Sequence, residues 1–311
     1  MSIWKVEGDG YRSINCAVFS PTGDLIASGH HDGTIRLWDL DGAPIGSPFI
    51  GHSKFTESSV ESVAFNQSGD HIVSSSRGGD IRIYDLLGNL VHKSPGHNGA
   101  AWVAAFSPND KLVASSGHDG AVRIWNVHDT RLNKMSEDRY DIRTQGVAIG
   151  GCDMYGSPLA FSPQGNLVVC SGQESSVRAW TLDGELIFDA VGHTGRIRAL
   201  AFSSNGDLIA SGGEDSTMRL WDLSGKPVSK PFFGHTGTVE SISFSNEGDY
   251  IATGGDNTIR LWNLSGRSIG PPVVVLASIK TISIHPHEDL LVSSGDNTMC
   301  LWSLSDYLVN R

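Results

Sequence analysis

What the 311-residue chain lacks narrows its identity first. Basic residues are scarce: 23 Lys+Arg stand against 34 Asp+Glu, a formal charge of −11. A phosphate-backbone binder needs clustered positive charge, so no nucleic-acid partner is expected. Long apolar runs are missing too. The longest, such as Val273–Ala277, are far too short to span a bilayer. The first ten residues, MSIWKVEGDG, hold neither a basic stretch nor an apolar core, so no secretory signal and no membrane partner are expected. Cysteine is rare. Cys16, Cys152, Cys170 and Cys300 form no CxxC and no paired spacing, and they read as reduced thiols of a cytoplasmic protein, neither a disulfide frame nor a zinc site. No GxSxG, P-loop or dinucleotide fingerprint occurs, and no cofactor is expected. Charged residues are only 18%, yet 39% hydrophobic content and 8 Trp exclude a disordered chain. Glycine is the excess: 37 residues, well above the usual ~7%. It is spread without a collagen period, which implies many tight turns and short strands.

An internal repeat accounts for those turns. GTIRLWDL, DIRIYDLL, AVRIWNVH, SVRAWTLD, TMRLWDLS, TIRLWNLS and TMCLWSLS are one unit written seven times, with its aromatic at Trp38, Tyr84, Trp125, Trp180, Trp221, Trp262 and Trp302. The spacings are 46, 41, 55, 41, 41 and 40 residues. Upstream of each lies a second echo (Leu25–Ser28, His71–Ser74, Leu112–Ser115, Leu167–Cys170, Leu208–Ser211, Tyr250–Thr253, Leu290–Ser293) and a third around Phe19, Phe65, Phe106, Phe161, Phe202, Phe244 and Ile284. Each echo has the length and β-branched content of a strand, and TGD, SGD, PND, PQG, NGD and EGD turns separate them. Strands apolar on both faces must be covered on both faces. A small four-stranded sheet achieves this when sandwiched between identical sheets around an axis, which is a β-propeller. The length alone would suit about two ordinary domains; the repeat argues for one.

The pattern GH…SVAFS…G…IASG…D…IRLWD resembles the WD-repeat family over essentially the whole chain. GH stands at Gly51-His52, Gly96-His97, Gly192-His193 and Gly234-His235; Trp-Asp stands at Trp38-Asp39 and Trp221-Asp222, with Tyr84-Asp85 as a variant. Linkers such as DLDGAPIGSPFIGH are similar to those of bacterial, cyanobacterial-type arrays, which often serve as recognition parts of larger signalling or defence proteins. The expected fold is all-β: a seven-bladed β-propeller of four-stranded antiparallel blades. Its blades run over 8–50, 51–95, 96–149, 150–191, 192–233, 234–273 and 274–311 plus 2–7. Aligning Phe19 with Phe244 puts Ile3–Glu7 at the outer strand of a blade, so the N-terminal strand should close the last blade and make 1–311 one complete domain.

Ser, His and Asp recur at fixed offsets, and a hydrolase reading would see triads. An active site is needed once, however, and these sets repeat with a Trp beside each: His97/Ser115/Asp119/Trp125, His193/Ser211/Asp215/Trp221 and His235/Thr253/Asp256/Trp262. The family resemblance implies structural tetrads, in which a buried imidazole and carboxylate satisfy each other. Blade 2 offers Gly78 and Tyr84 where Asp and Trp belong, blade 4 offers Cys170 and Glu174, and blades 1 and 7 lack GH. Six arginines two residues before the strand-c aromatic (Arg36, Arg82, Arg123, Arg178, Arg219, Arg260) read as packing between blades, not as a basic channel lining. His30-His31 and His285/His287 lack the third ligand that a zinc site needs, and no metal is expected. Gly255–Thr258 and Gly295–Thr298 read as shortened hairpins.

Function is expected where the repeat breaks. Two insertions stand out, Ser53–Ser59 and the segment 131–153, which lengthens one spacing to 55. The resemblance implies a top face lined by residues flanking strand a and by the residue before the tetrad Asp. Blade 1 offers Ser13, Asn15 and His31; blade 2 offers Ser59, Glu61 and Arg77; blade 3 offers Trp102 and His118. Blade 4 offers Tyr155, Ser157 and Gln173; blade 5 offers Arg196, Arg198 and Glu214; blades 6 and 7 offer Thr238, Glu240, Ser278 and Lys280. Trp102, Tyr155, Arg196 and Arg198 are residue types enriched in binding hot spots. The expected function is a non-enzymatic module that binds a protein or peptide, in particular an acidic or aromatic-bearing segment, on blades 3 to 5, as a monomer or part of a larger complex. The alternatives are a sensor domain of a signalling or defence ATPase system and a small-ligand-binding or catalytic propeller.

Overall fold

In a computed structural model the chain is described over residues 2–7, 13–52, 59–127 and 147–308. Its strands fall into seven separate four-stranded sheets, all pairings antiparallel. The only described α-helix is the short Ser305–Leu308. Each sheet is a meander of strands a to d. In blade 5 these are Ile197–Phe202, Leu208–Gly213, Thr217–Asp222 and Phe232–Phe233. Every strand a packs on strand a of the next blade, and Thr281–Ile284 of blade 7 returns to Ile14–Phe19 of blade 1. The ring is therefore closed, and this is a seven-bladed β-propeller.

The two-faced burial that the sequence demanded is met at the seams between blades. Seven apolar clusters form the core, and each draws on two adjacent blades. One joins Ile35, Leu37 and Phe49 of blade 1 to Val60, Ile72 and Tyr84 of blade 2. Another joins Ile14, Ile26 and Trp38 of blade 1 to Val292, Met299 and Leu301 of blade 7. Strand b, flanked by a sheet on each side, is buried along nearly its whole length in every blade. Strand-a hydroxyls add hydrogen bonds across the seams: Ala17 N donates to Thr281 Oγ1 at 3.0 Å, Ala104 N to Ser62 Oγ at 3.0 Å and Ile282 N to Ser241 Oγ at 3.0 Å.

The closing strand lies where expected. Ser2–Glu7 pairs antiparallel with Thr298–Ser303 and supplies strand d of blade 7. Trp4 fastens it to blade 1, because its Nε1 donates to Leu40 O at 2.7 Å and its ring joins the blade 7–blade 1 cluster. Strands Val147–Gly151 and Val273–Val274 straddle the expected seams at 149/150 and 273/274, so blades 3 and 6 reach slightly further. The hairpins at Asp256-Asn257 and Asp296-Asn297 have two-residue loops with both φ values positive, as their sequences predict. No described helix is long and apolar enough to cross a membrane.

One expectation fails outright. Cys152 and Cys170 form a disulfide, with Cα atoms 6.1 Å apart, and only Cys16 and Cys300 are free. An 18-residue separation matches no familiar sequence motif, but the backbone bond from Asp153 N to Ser171 O sets the two positions side by side. The unpaired-cysteine argument for a cytoplasmic protein goes with it.

Candidate functional site

The repeated Ser, His, Asp and Trp residues form closed hydrogen-bond chains inside the blades. In blade 5, Trp221 Nε1 donates to Ser211 Oγ at 2.8 Å, Ser211 Oγ lies 2.7 Å from His193 Nε2, and His193 Nδ1 lies 2.9 Å from Asp215 Oδ2. Blade 3 repeats this with Trp125–Ser115 at 2.9 Å, Ser115–His97 at 2.8 Å and His97–Asp119 at 2.8 Å. Blade 6 repeats it with Trp262–Thr253 at 2.8 Å, Thr253–His235 at 2.7 Å and His235–Asp256 at 2.6 Å. Burial holds all three histidines below the usual imidazole pKa. Despite its own burial, the Asp256 carboxyl is pulled down to about 2 by hydrogen bonds from the Thr236 amide, Thr258 and His235. In blades 5 and 6 a neutral imidazole protonated on Nδ1 satisfies the chain: the indole donates to the hydroxyl, the hydroxyl to Nε2, and Nδ1–H to the carboxylate. Ser115, Ser211 and Thr253 are fully buried, so no substrate carbonyl reaches these hydroxyls.

The GH glycine belongs to the same device. A Cβ on Gly192 would lie 2.7 Å from the Trp221 ring, and one on Gly96, whose φ is +66°, 1.7 Å from Gly79 O. Only glycine lets the chain pass there.

Two blades improvise. Blade 2 is not broken as its Gly78 suggested. Asp80, two residues later, supplies the carboxylate at 2.8 Å from His52 Nδ1, Ser74 lies 2.9 Å from Nε2, and the Tyr84 hydroxyl donates to Gly51 O. In blade 1, without GH, Trp38 donates to Ser28 at 2.7 Å, and His30 of the same strand b supplies an imidazole 2.8 Å from Ser28. The signal for Asp80 was its place just before the strand-c Arg82, to which it is also paired at 2.7 Å.

The arginines lie on strand c, third from the axis, and so cannot line the channel. Arg123 pairs with Asp119 at 2.6 Å and Arg178 with Asp189 at 2.9 Å. His285 is committed to the backbone on both ring nitrogens: Nε2 donates to Gly23 O at 2.9 Å, and Nδ1 accepts from Glu288 N at 2.8 Å.

The residues expected on the top face divide. Asn15, Ser59 and Ser157 are buried in the seams, where Asn15 Nδ2 donates to Ser59 Oγ at 2.8 Å. Glu61 and Arg77 form a 3.5 Å ion pair on blade 2. Trp102, His118, Arg196 and Arg198 converge with Tyr155 on one segment, Asp153–Gly156, immediately before strand a of blade 4. Met154 O accepts from Trp102 Nε1 at 3.1 Å and contacts His118 Nδ1 at 3.1 Å. His118 stands edge-on to both Trp102 and Tyr155, with centroids 6.3 and 5.7 Å apart. The Arg196 guanidinium lies over the Tyr155 ring at 4.7 Å. Arg198 grips Glu214 through Nη2 at 2.6 Å and Nε at 3.0 Å, and donates to Tyr155 O at 3.3 Å. Trp102, His118, Tyr155 and Arg196 thus form a continuous partly exposed row across blades 3 to 5. It is less basic than expected, because Arg198 is paired to Glu214 and Arg196 lies 3.8 Å from Asp153. Beside it, burial raises the Glu240 carboxyl above its usual pKa. Of the two insertions, 53–58 and 128–146 lie outside the described residues.

Comparison with known proteins agrees with this geometry. The family described as "WD domain, G-beta repeat" matches residues 3–39, 42–85, 88–126, 184–222, 225–263 and 272–303, well over half of the chain. Similar proteins include the pre-mRNA-splicing factor cwf17 of Schizosaccharomyces pombe, 29% identical over 106 residues, 34% of this chain and 28% of that protein. Autophagy-related protein 16 of Arabidopsis thaliana is 30% identical over 160 residues, 51% of this chain and 30% of that one. Apoptotic protease-activating factor 1 of Homo sapiens is 32% identical over 82 residues, 26% of this chain and 6% of that one. The matched stretches span less than a third of the length of each relative.

Proposed function

The chain belongs to the WD-repeat family, and from that premise we propose that it is a non-enzymatic recognition module whose top face holds a protein segment at blades 3 to 5. The observation that carries the proposal is the ring row gathered on Met154 and Tyr155. A blade core demands neither an exposed Tyr155, at 48% accessibility, nor a cation held over it. Stacked Trp, Tyr and Arg side chains give large, stiff contact area at low entropic cost, which is what a binding hot spot requires. With its arginines paired to carboxylates, the row suits an apolar or aromatic-bearing segment better than a strongly acidic one. The chain's charge of −11 supports a protein rather than a nucleic-acid partner.

The test is a photo-crosslinking amino acid placed at position 155 and, as a control, at the exposed outer-strand position Val274. In host extract, position 155 should capture a discrete partner. Trp102→Ala should abolish that capture with little change in melting temperature. The same product from position 274, or undiminished capture by the Trp102 variant, rejects this site.

A further inference from the structure

The middle blade of the ring row, blade 4, is also the one in which the tetrad is chemically replaced. Cys152 stands 41 residues before His193, and Cys170 stands 41 before Ser211. They occupy the imidazole and hydroxyl positions of blade 4, and where the other blades have a His–Ser hydrogen bond, this one has a disulfide. Both residues are buried, Cys152 at 2% and Cys170 at 0% accessibility.

A second observation marks the substitution. Trp38, Trp125, Trp221, Trp262 and Trp302 each donate Nε1–H to a Ser or Thr hydroxyl. Trp180 of blade 4 is the exception: its buried Nε1 has no hydrogen-bond partner. A sulfur bound to another sulfur is a poor acceptor, so the disulfide takes the tetrad's place at the cost of the indole's bond. At the carboxylate position stands Glu174, exposed on the single turn Gln173–Ser175 that connects strands b and c.

The position of the bond relative to the ring row gives it consequences. Cys152 directly precedes Asp153, Met154 and Tyr155, the residues that receive Trp102, His118, Arg196 and Arg198. The disulfide is the covalent tie between the base of this loop and strand b, beside the hydrogen bonds from Asp153 N to Ser171 O at 2.9 Å and between Ser157 Oγ and Ser171 Oγ at 2.9 Å.

We infer that Cys152 and Cys170 are a redox site that sets the order of the Asp153–Gly156 loop. The disulfide state holds the ring row assembled, and the dithiol state releases it. The chemistry is thiol–disulfide exchange with a low-molecular-weight thiol. On local opening of the loop, a thiolate attacks Cys152 Sγ, the Cys152–Cys170 bond breaks and Cys170 leaves as the thiolate, which is then protonated. A second thiolate attacks the reagent sulfur of the mixed disulfide and frees Cys152. Two electrons pass from the reagent to the protein, and the reagent ends as its disulfide; oxidation by a small disulfide runs the steps in reverse. Burial of both sulfurs makes opening the slow step. Control of partner binding rests on the proposed function, whereas the redox site and the loop's response do not.

Thiol counting and hydrogen exchange on the whole protein test this. Purified without reductant, the denatured protein should expose two alkylatable thiols, Cys16 and Cys300, and yield a cross-linked peptide containing Cys152 and Cys170. After dithiothreitol it should expose four, and glutathione disulfide should restore two. On reduction, amides 153–157 should exchange at least tenfold faster while 250–263 in blade 6 stay unchanged, and the melting temperature should fall by roughly 5 °C. Cys152→Ser/Cys170→Ser should behave as the reduced protein does. Cys152→His/Cys170→Ser, which writes the residues of the other blades into blade 4, should protect the loop whatever the redox state. Reduced wild type gives the same reading should a variant fail to fold. Four thiols under every oxidising condition, or unchanged exchange at 153–157 on reduction, overturns the inference. If the loop responds but crosslinking at position 155 captures nothing in either state, the binding proposal falls and the redox site stands.

Discussion

His193→Ala removes the centre of the blade 5 tetrad, and the structure allows its cost to be worked out. The imidazole is fully buried as a side chain, and its loss breaks two hydrogen bonds at once. Asp215 keeps the Thr194 amide at 2.9 Å and Thr217 Oγ1 at 2.7 Å, so the carboxylate stays satisfied. Ser211 is different. At 0% accessibility its hydroxyl proton has nowhere else to go, and an orphaned buried donor costs about 1–3 kcal/mol. The vacated imidazole volume adds about 1 kcal/mol more. The expected total is about 2–4 kcal/mol, or a fall of roughly 4–10 °C in melting temperature. His52→Ala should match it, although the sequence suggested a damaged set there. His52 has the same two bonds at 2.8 and 2.9 Å and a side chain 1% exposed, and Asp80 retains Ser76 and Arg82 just as Asp215 retains its threonines. The measurement is urea unfolding followed by tryptophan fluorescence and far-ultraviolet circular dichroism, with the exposed His31→Ala as reference. A cost below about 1 kcal/mol at His52 beside the full cost at His193 would refute the claim that Asp80 rebuilds the tetrad.

Acid should unfold the ring in two overlapping stages. His97, His193 and His235 have folded pKa values below the unfolded value, so their contribution is complete above pH ~6.5 and declines as the unfolded chain takes up protons below that. The depressed tetrad carboxylates act lower: the contribution of Asp256 is complete above its unfolded pKa and is lost as pH falls toward about 2. Urea midpoints from pH 8 to pH 3 should therefore fall monotonically below pH 6.5, and a rise in midpoint between pH 6.5 and 5 would contradict the neutral-imidazole arrangement. Removing residues 1–7 should leave Thr298–Ser303 as an unpaired edge and strip Trp4 and Val6 from the blade 7–blade 1 cluster. A lower melting temperature with concentration-dependent light scattering is expected, and an unchanged melting temperature would deny that strand its role in closure.

The fold was legible because it is periodic. Seven strand-c aromatics fix seven sheets, and apolar residues on both faces of strand b require a neighbour on each side, which only a ring supplies to every blade. The closing role of Ile3–Glu7 followed from counting strands. Individual sets of contacts were less legible, because repeat alignment assumes that equivalent partners occupy equivalent positions. Asp80 reaches His52 from two residues beyond the aligned place, and His30 serves blade 1 from strand b itself. In both cases the blade preserves the hydrogen bond and lets the position drift, since a buried donor must be satisfied from whichever residue can reach it. The same logic explains the cysteines. Read as four isolated thiols they carry no pattern, and the family match itself lapses between residues 126 and 184. Read at the 41-residue period, Cys152 falls on His193 and Cys170 on Ser211, and the disulfide becomes the tetrad's covalent counterpart. Rim residues were the hardest to place, because nothing in a strand's periodicity says whether a polar side chain at its end turns outward, as Tyr155 does, or folds into the seam, as Asn15 and Ser157 do. That choice is made by the adjacent blade. Thus a place where a covalently replaced tetrad and an exposed aromatic row coincide could be found only once the described blades were set side by side.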